Sequence, residues 1–214
     1  ALGGQKDWKA DSEEATAVVT DPIGGGQVAK LGGVKGVSAE PVCLWHALPE
    51  SVEGTGQKVY VSFDANLDLA ATGNSKDQFS WSIYNEREEP LLALWMSAED
   101  GSMRVVNASG QAWDLDAKLV AGASQKFAFE VDPVAATWGL SLDGVSMFDG
   151  QSLGVDSSEA RLGDVSAIWL PGSTEPAALV FDNFSITTEL DSASIAADGE
   201  AETEAAAQAT LIVK

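Results

Sequence analysis

Apolar side chains recur at every second position through most of this chain. From Lys126 to Phe148, Phe127, Phe129 and Val131 alternate with Ala128, Glu130 and Asp132. Trp138, Leu140 and Leu142 then alternate with Gly139, Ser141 and Asp143. A period of two is that of a half-buried sheet, not of a helix. Asp143-Gly144 is a two-residue hairpin signal, which pairs Leu142 with Val145 and sets Leu140 opposite Met147. If Asp132 to Ala136 closes the preceding connection, Val131 meets Trp138, Phe129 meets Leu140 and Phe127 meets Leu142. Turns and pattern agree, so three antiparallel strands with one register are predicted.

The same alternation predicts strands at Ala15 to Thr20, Pro41 to Leu48, Val59 to Asp64, Met103 to Asn107, Ala112 to Leu119, Val165 to Leu170 and Leu179 to Thr187. Phe79, Trp81 and Ile83 form one further stripe, and Leu92, Leu94 and Met96 another. A hairpin pairing Tyr84 with Leu91 joins them and gathers Ser80, Ser82, Tyr84, Leu91, Ala93 and Trp95 on the opposite face. Tyr60 and Ser62 point away from Val61 and Phe63. Trp81, Trp138 and Trp169 are in phase with aliphatic neighbours, which marks them as core. The runs Gly24-Gly25-Gly26 and Gly32-Gly33 mark turns. The pattern predicts an all-β protein of about ten to twelve strands without a helix before residue 190, built as an antiparallel β-sandwich of two stacked sheets over residues 1–188. Residues 189–214 form an acidic, alanine-rich tail. Asp198 can cap a short helix there, or the segment is a linker ending in an extra strand over 209–213.

Composition narrows the partners. Thirty-three acidic against twelve basic residues give a formal charge of -21, which disfavours nucleic acid and anionic membrane surfaces by long-range repulsion. The same acidity also serves solubility in a salty or extracellular setting. The apolar runs are strand-sized, so no membrane span is expected. Cys43 is the single cysteine, which rules out an intrachain disulfide and reads as a small apolar residue. The chain starts at Ala1 without methionine, as a mature chain does after leader removal, so an extracellular or cell-surface location is expected.

Asp21-Pro22 followed by GGGQVAKL, the strand KVYVSFDANL, the hairpin FEVDPVAATWGLSLDG and the closing ALVFDNFSIT together resemble the concanavalin A-like lectin and glucanase superfamily, particularly its laminin-G-like secreted jelly rolls. The resemblance spans roughly residues 8–188. It implies a jelly roll of two stacked antiparallel sheets, one of them curved. That fold carries lectins, carbohydrate-binding modules, glucanases, lyases and purely structural domains, so function must come from the site. The resemblance also implies a structural calcium held by an aspartate of the last strand. Asp182 occupies that place, and Asp21 is positioned to contribute from the neighbouring strand. The alternative is that Asp182 only bonds backbone groups at a sheet edge.

The sequence carries no recognisable catalytic pattern. No Glu-x-Asp-x-Glu array of the laminarinase kind occurs, and Glu86, Glu88 and Glu89 fall in a proline-terminated turn that suits a solvated loop. The lyases' Arg, Gln, His and Tyr cluster has little material here, with one histidine, His46, and two tyrosines. His46 has no zinc or relay partner at a recognisable spacing and reads as structural. Asp64-x-Asn66-x-Asp68 opens like a calcium loop but carries Leu69 and Ser75 where glycine and the closing glutamate belong. For sugars, rings stack on apolar pyranose faces while short polar groups take the hydroxyls. Trp95, Tyr84, Ser80 and Ser82, joined by Tyr60, have that mixture; the competing expectation is that these rings pack under loops. The sequence therefore points to a secreted, non-catalytic, carbohydrate-binding β-sandwich with a structural calcium. The alternative is a self-assembling filament or sheath subunit whose strand 209–213 adds to a neighbour's sheet.

Overall fold

A computed structural model describes residues 8–20, 27–35, 40–48, 52, 56–69, 75–172 and 175–188. Among them are fourteen strands and no helix: β1 Trp8–Ala10, β2 Thr16–Thr20, β3 Gln27–Gly32, β4 Val42–Ala47, β5 Val59–Asp68, β6 Gln78–Asn85, β7 Pro90–Ser97, β8 Ser102–Asn107, β9 Ala112–Lys118, β10 Gln125–Asp132, β11 Thr137–Leu142, β12 Val145–Ser152, β13 Leu162–Leu170 and β14 Ala178–Thr188. They make two seven-stranded sheets, ordered β1-β4-β13-β6-β7-β8-β9 and β12-β11-β10-β5-β14-β3-β2. Neighbouring strands in both sheets pair antiparallel. The protein is a β-sandwich of the jelly-roll kind. The expected tail strand 209–213, and Asp21 with it, lie outside the described residues.

Alternation explains which side of each strand is dry. Val61 and Phe63 on β5, Phe127 and Phe129 on β10, and Trp81 and Ile83 on β6 all point between the sheets and are buried. Trp138 and Trp169 join them, as their phase requires. Rings from opposite sheets interlock there. Phe63 stacks on Trp81 with centroids 3.9 Å apart, and Trp8 of β1 lies 5.1 Å from Phe184 of β14. Contacts of this geometry add about 0.5–1.5 kcal/mol each beyond the area they bury.

The central register is as the turns require: Phe127 opposes Leu142, Phe129 opposes Leu140 and Val131 opposes Trp138. Asp143 (φ 51°) and Gly144 (φ 79°) both adopt the left-handed backbone of a primed turn, and Leu142 pairs with Val145. Beyond the turn the reading needs correction. Register shifts put Leu140 opposite Phe148 instead of Met147, because bulges insert residues into edge strand β12. A second shift, between Ile83 and Tyr84, pairs Tyr84 with Pro90 instead of Leu91. Leu91 consequently turns inward and is buried beside Leu92.

One buried charge ties the loops at one end together. Asp77, with no exposed surface, accepts hydrogen bonds from Trp169 Nε1 (3.1 Å) and the Ala177 amide (2.8 Å) through Oδ2, and from the Gly172 amide (2.7 Å) through Oδ1. It joins the start of β6 to the connection between β13 and β14. Removing a buried, hydrogen-bonded carboxylate strands its donors. Asp77→Ala should therefore lower the unfolding free energy in urea by about 3 kcal/mol, and a loss under about 1 kcal/mol would show that these bonds are dispensable.

Candidate functional site

The outward face of the first sheet carries a groove. On β7, Leu92, Leu94 and Met96 point inward, which leaves Ala93, Trp95 and Ser97 outward. Cross-strand pairing then sets a row of Ser80, Trp95, Arg104 and Asp114 across β6 to β9. An open cavity of about 770 Å³ lies here, lined by Trp95, Arg104 and Asp114 with Gln78, Glu99 and Asp100. Trp95 is half-buried and offers an aromatic wall.

Its polar groups are fixed in place. Arg104 Nε donates to Asp114 Oδ1 at 2.7 Å, and this hydrogen bond and charge raise the guanidinium pKa further. At the β7–β8 turn the Ser102 amide donates to Asp100 Oδ1 (3.0 Å) and the Glu99 amide to Ser97 Oγ (3.2 Å). Gly101 sits at φ 71°, where a Cβ would lie 2.4 Å from the Leu119 carbonyl oxygen, so only glycine makes this turn. Hydrogen bonds from the Ser102 hydroxyl, then the Ser102 amide and the Ser97 hydroxyl, hold the Asp100 carboxyl down to about 2. A carboxyl so acidic is no proton donor near neutral pH. Chemically, an indole wall of this kind can stack on a flat apolar surface, and the polar groups beside it can donate and accept hydrogen bonds.

The other expected residues are placed differently. Ser80 flanks Trp95 in the register but is fully buried, and its hydroxyl has no protein partner. Ser82, one row along, is 3% exposed. Ser80 stands between the larger Trp95 and Ile168, whereas Ser82 stands between Ala93 and Ser166. Tyr84 shares the face but lies four residues from Ser80 along β6, about 13 Å at strand rise, next to Pro90 and Asp164. Burial, then the Glu88 charge, raises the Asp164 pKa. Tyr60 is not brought to this face. It lies on β5 opposite Glu130 and Thr187, on the outside of the other sheet. Arg104, Asp114, Asp100 and Glu99 were not anticipated. Their signal was Asp100-Gly101, which marks a turn between alternating runs but not its length: a two-residue hairpin there would set Trp95 opposite Val106, whereas the longer loop observed sets it opposite Arg104.

Away from the groove, Asp64 and Asp182 face each other across β5 and β14 on the outside of the second sheet. A small cavity of about 80 Å³ there is lined by both, with Asn66, Ser124 and Asn183. Asn183, at φ 51° in the register shift after Asp182, donates through Nδ2 to Asp64 Oδ2 at 2.7 Å. Asn66 is 5% exposed and its Oδ1 has no protein partner. Two carboxylates and an amide oxygen are hard donors of the kind calcium takes. Among the described residues no cluster of three or more Asp, Glu, His or Cys has metal-binding geometry.

His46 is structural: it is 2% exposed between the rings of Trp8 and Phe184, and its Nδ1 meets the Ala47 carbonyl. Burial, then the charge of Asp11, pushes the Cys43 thiol up to about 11, which disarms it as a nucleophile. Glu86, Glu88 and Glu89 lie in an exposed turn organised by Asn85, whose Oδ1 accepts from the Arg87 and Glu89 amides.

No family model and no curated protein matches the sequence. Solved structures match the fold. A sialidase is similar with a TM-score of 0.64 and 12% identity over 85% of this chain, which spans 17% of the sialidase's length. An alginate lyase of polysaccharide lyase family 7 has a TM-score of 0.57 at 11% identity, with 84% of each chain covered. A cellulose-induced protein gives 0.55 at 14% identity, over 86% of this chain and 92% of its own. The chain thus has the concanavalin A-like jelly-roll fold, and the likeness is one of fold.

Asp100 supplies a pH signature. Its carboxyl is held below the ordinary value of 3.8, so its stabilising interactions are complete above that value and are lost as pH falls towards about 2. Between about pH 4 and pH 2, urea midpoints of the wild type should fall more steeply than those of Asp100→Asn. Parallel curves would contradict the turn geometry.

Proposed function

We propose that this chain is a non-catalytic, carbohydrate-binding module that works outside the cell. The observation that carries the reading is the Trp95 wall set beside the fixed Arg104–Asp114 pair in an open groove. An indole covers the apolar face of a pyranose, and the ion pair offers both a donor and an acceptor to its hydroxyls. The company of the fold supports the carbohydrate part of this reading: it includes a sialidase, alginate lyases and a botulinum neurotoxin whose cell entry depends on two ganglioside molecules. Trp95→Ala should weaken binding to a responsive polysaccharide by about tenfold or more, ~1.4 kcal/mol, in affinity electrophoresis, with thermal unfolding unchanged. A glycan array with no Trp95-dependent signal would end this reading.

We also propose a structural calcium held by Asp182 and Asp64 with Asn66 Oδ1. The buried, unpartnered amide oxygen beside two facing carboxylates supports it. Calcium at a hundredfold excess over its Kd would stabilise the fold by about 2.7 kcal/mol. Millimolar calcium should raise the melting temperature relative to chelator, and Asp182→Asn should abolish the increase. An identical melting temperature in calcium and chelator would rule the ion out.

A further inference from the structure

The charges that line the groove carry the glycan reading further, to a class of sugar, and this step rests on that reading. Glu99, Asp100 and Asp114 line the groove against a single cation, Arg104. That guanidinium is already engaged by Asp114 at 2.7 Å. Lys118, the next cation, donates to the Asp100 carbonyl oxygen at 3.2 Å and is not part of the lining. Two exposed carboxylates, Glu99 and Asp100, stand at one end of the Trp95 wall, and the charge of Lys118 offsets that of Asp100 in part. The backbone of the turn beneath them is held by the Ser97 and Ser102 bonds, and Asp100 Oδ1 is itself one of the acceptors. A carboxylated or sulfated sugar stacked on Trp95 would meet this charge and the field of a chain at -21. An ammonium group on the same ring would meet it favourably.

We propose that the groove selects amino-bearing pyranose chains, tolerates neutral ones and disfavours carboxylated or sulfated ones. Exposed ion pairs are weak individually and are screened by salt. The expected preference for the amino sugar over its neutral counterpart is therefore about threefold to tenfold at low ionic strength, and it should shrink in molar salt.

The test is calorimetric titration of the whole chain with β-1,4-linked oligosaccharides of glucose, glucosamine and a uronic acid, matched in length, at about pH 5.5 where the amines are protonated. Glucosamine should bind best, and the uronic acid about threefold to tenfold more weakly than glucose. The double variant Glu99→Gln/Asp100→Asn should remove the preference, read as the ratio of glucosamine to glucose affinity measured on the same variant. Glu13→Gln/Glu14→Gln, the same charge change at exposed positions on another part of the fold, should leave the preference intact. Equal binding of glucose and glucosamine, a preference that survives Glu99→Gln/Asp100→Asn, equal sensitivity to Glu13→Gln/Glu14→Gln, or uronic acid binding as tight as glucose would each overturn the proposal. All four outcomes leave the glycan reading standing if Trp95→Ala still weakens binding. Absence of any Trp95-dependent binding would overturn both.

Discussion

The Asp77 carboxylate is the constraint on which both layers depend. A charge with no exposed surface is tolerated only where donors replace its water, and here an indole N–H and two backbone amides do so. Those donors belong to β13 and to the connection that leads into β14, whereas Asp77 itself precedes β6. The same carboxylate thus anchors the start of a central strand in one sheet and the connection that enters the other. Trp169 is held in the core at its indole nitrogen, and its neighbours inherit that position.

Alternation made most of the fold legible. Where strands are long and their turns chemically explicit, as from Lys126 to Val145, even the cross-strand partners follow from residue spacing. Legibility fails where one residue breaks the count. The bulges of β12 and the shift after Ile83 move side chains by one position, and a period of two then sends Leu91 to the other side of the sheet. β1 and β3 escaped notice for a different reason. Trp8–Ala10 spans only three residues, too few to show a period, and Lys30 and the following glycines disguise Gln27–Gly32 as a turn.

The candidate site was only partly legible because it depends on pairing across four strands. Trp95 could be put on an outward face from its own strand. Arg104 and Asp114 join it only through two further registers, each with its own turn. Tyr60 has the same alternation as Tyr84, yet it belongs to the opposite sheet, and local sequence pattern carries no information on sheet membership. Asp77 gave no signal either, because a lone aspartate before a strand looks like any loop residue until its distant donors are known.

The order of strands has a consequence for how the protein is made. β13, near the end of the described chain, sits between β4 and β6 in one sheet, and β14, at its end, sits between β3 and β5 in the other. The first sheet is not continuous until residue 170 is available, nor the second until residue 188, so during synthesis the earlier strands wait with open edges. Pairing over such sequence separations is slow, because the chain entropy of closing long loops is lost before the contacts form. Folding of this domain accordingly reaches completion only once its last two strands are available, with a nascent chain that must stay soluble in the meantime. The acidic surface, by keeping such chains apart, acts on the unfolded molecule as well as on the finished one.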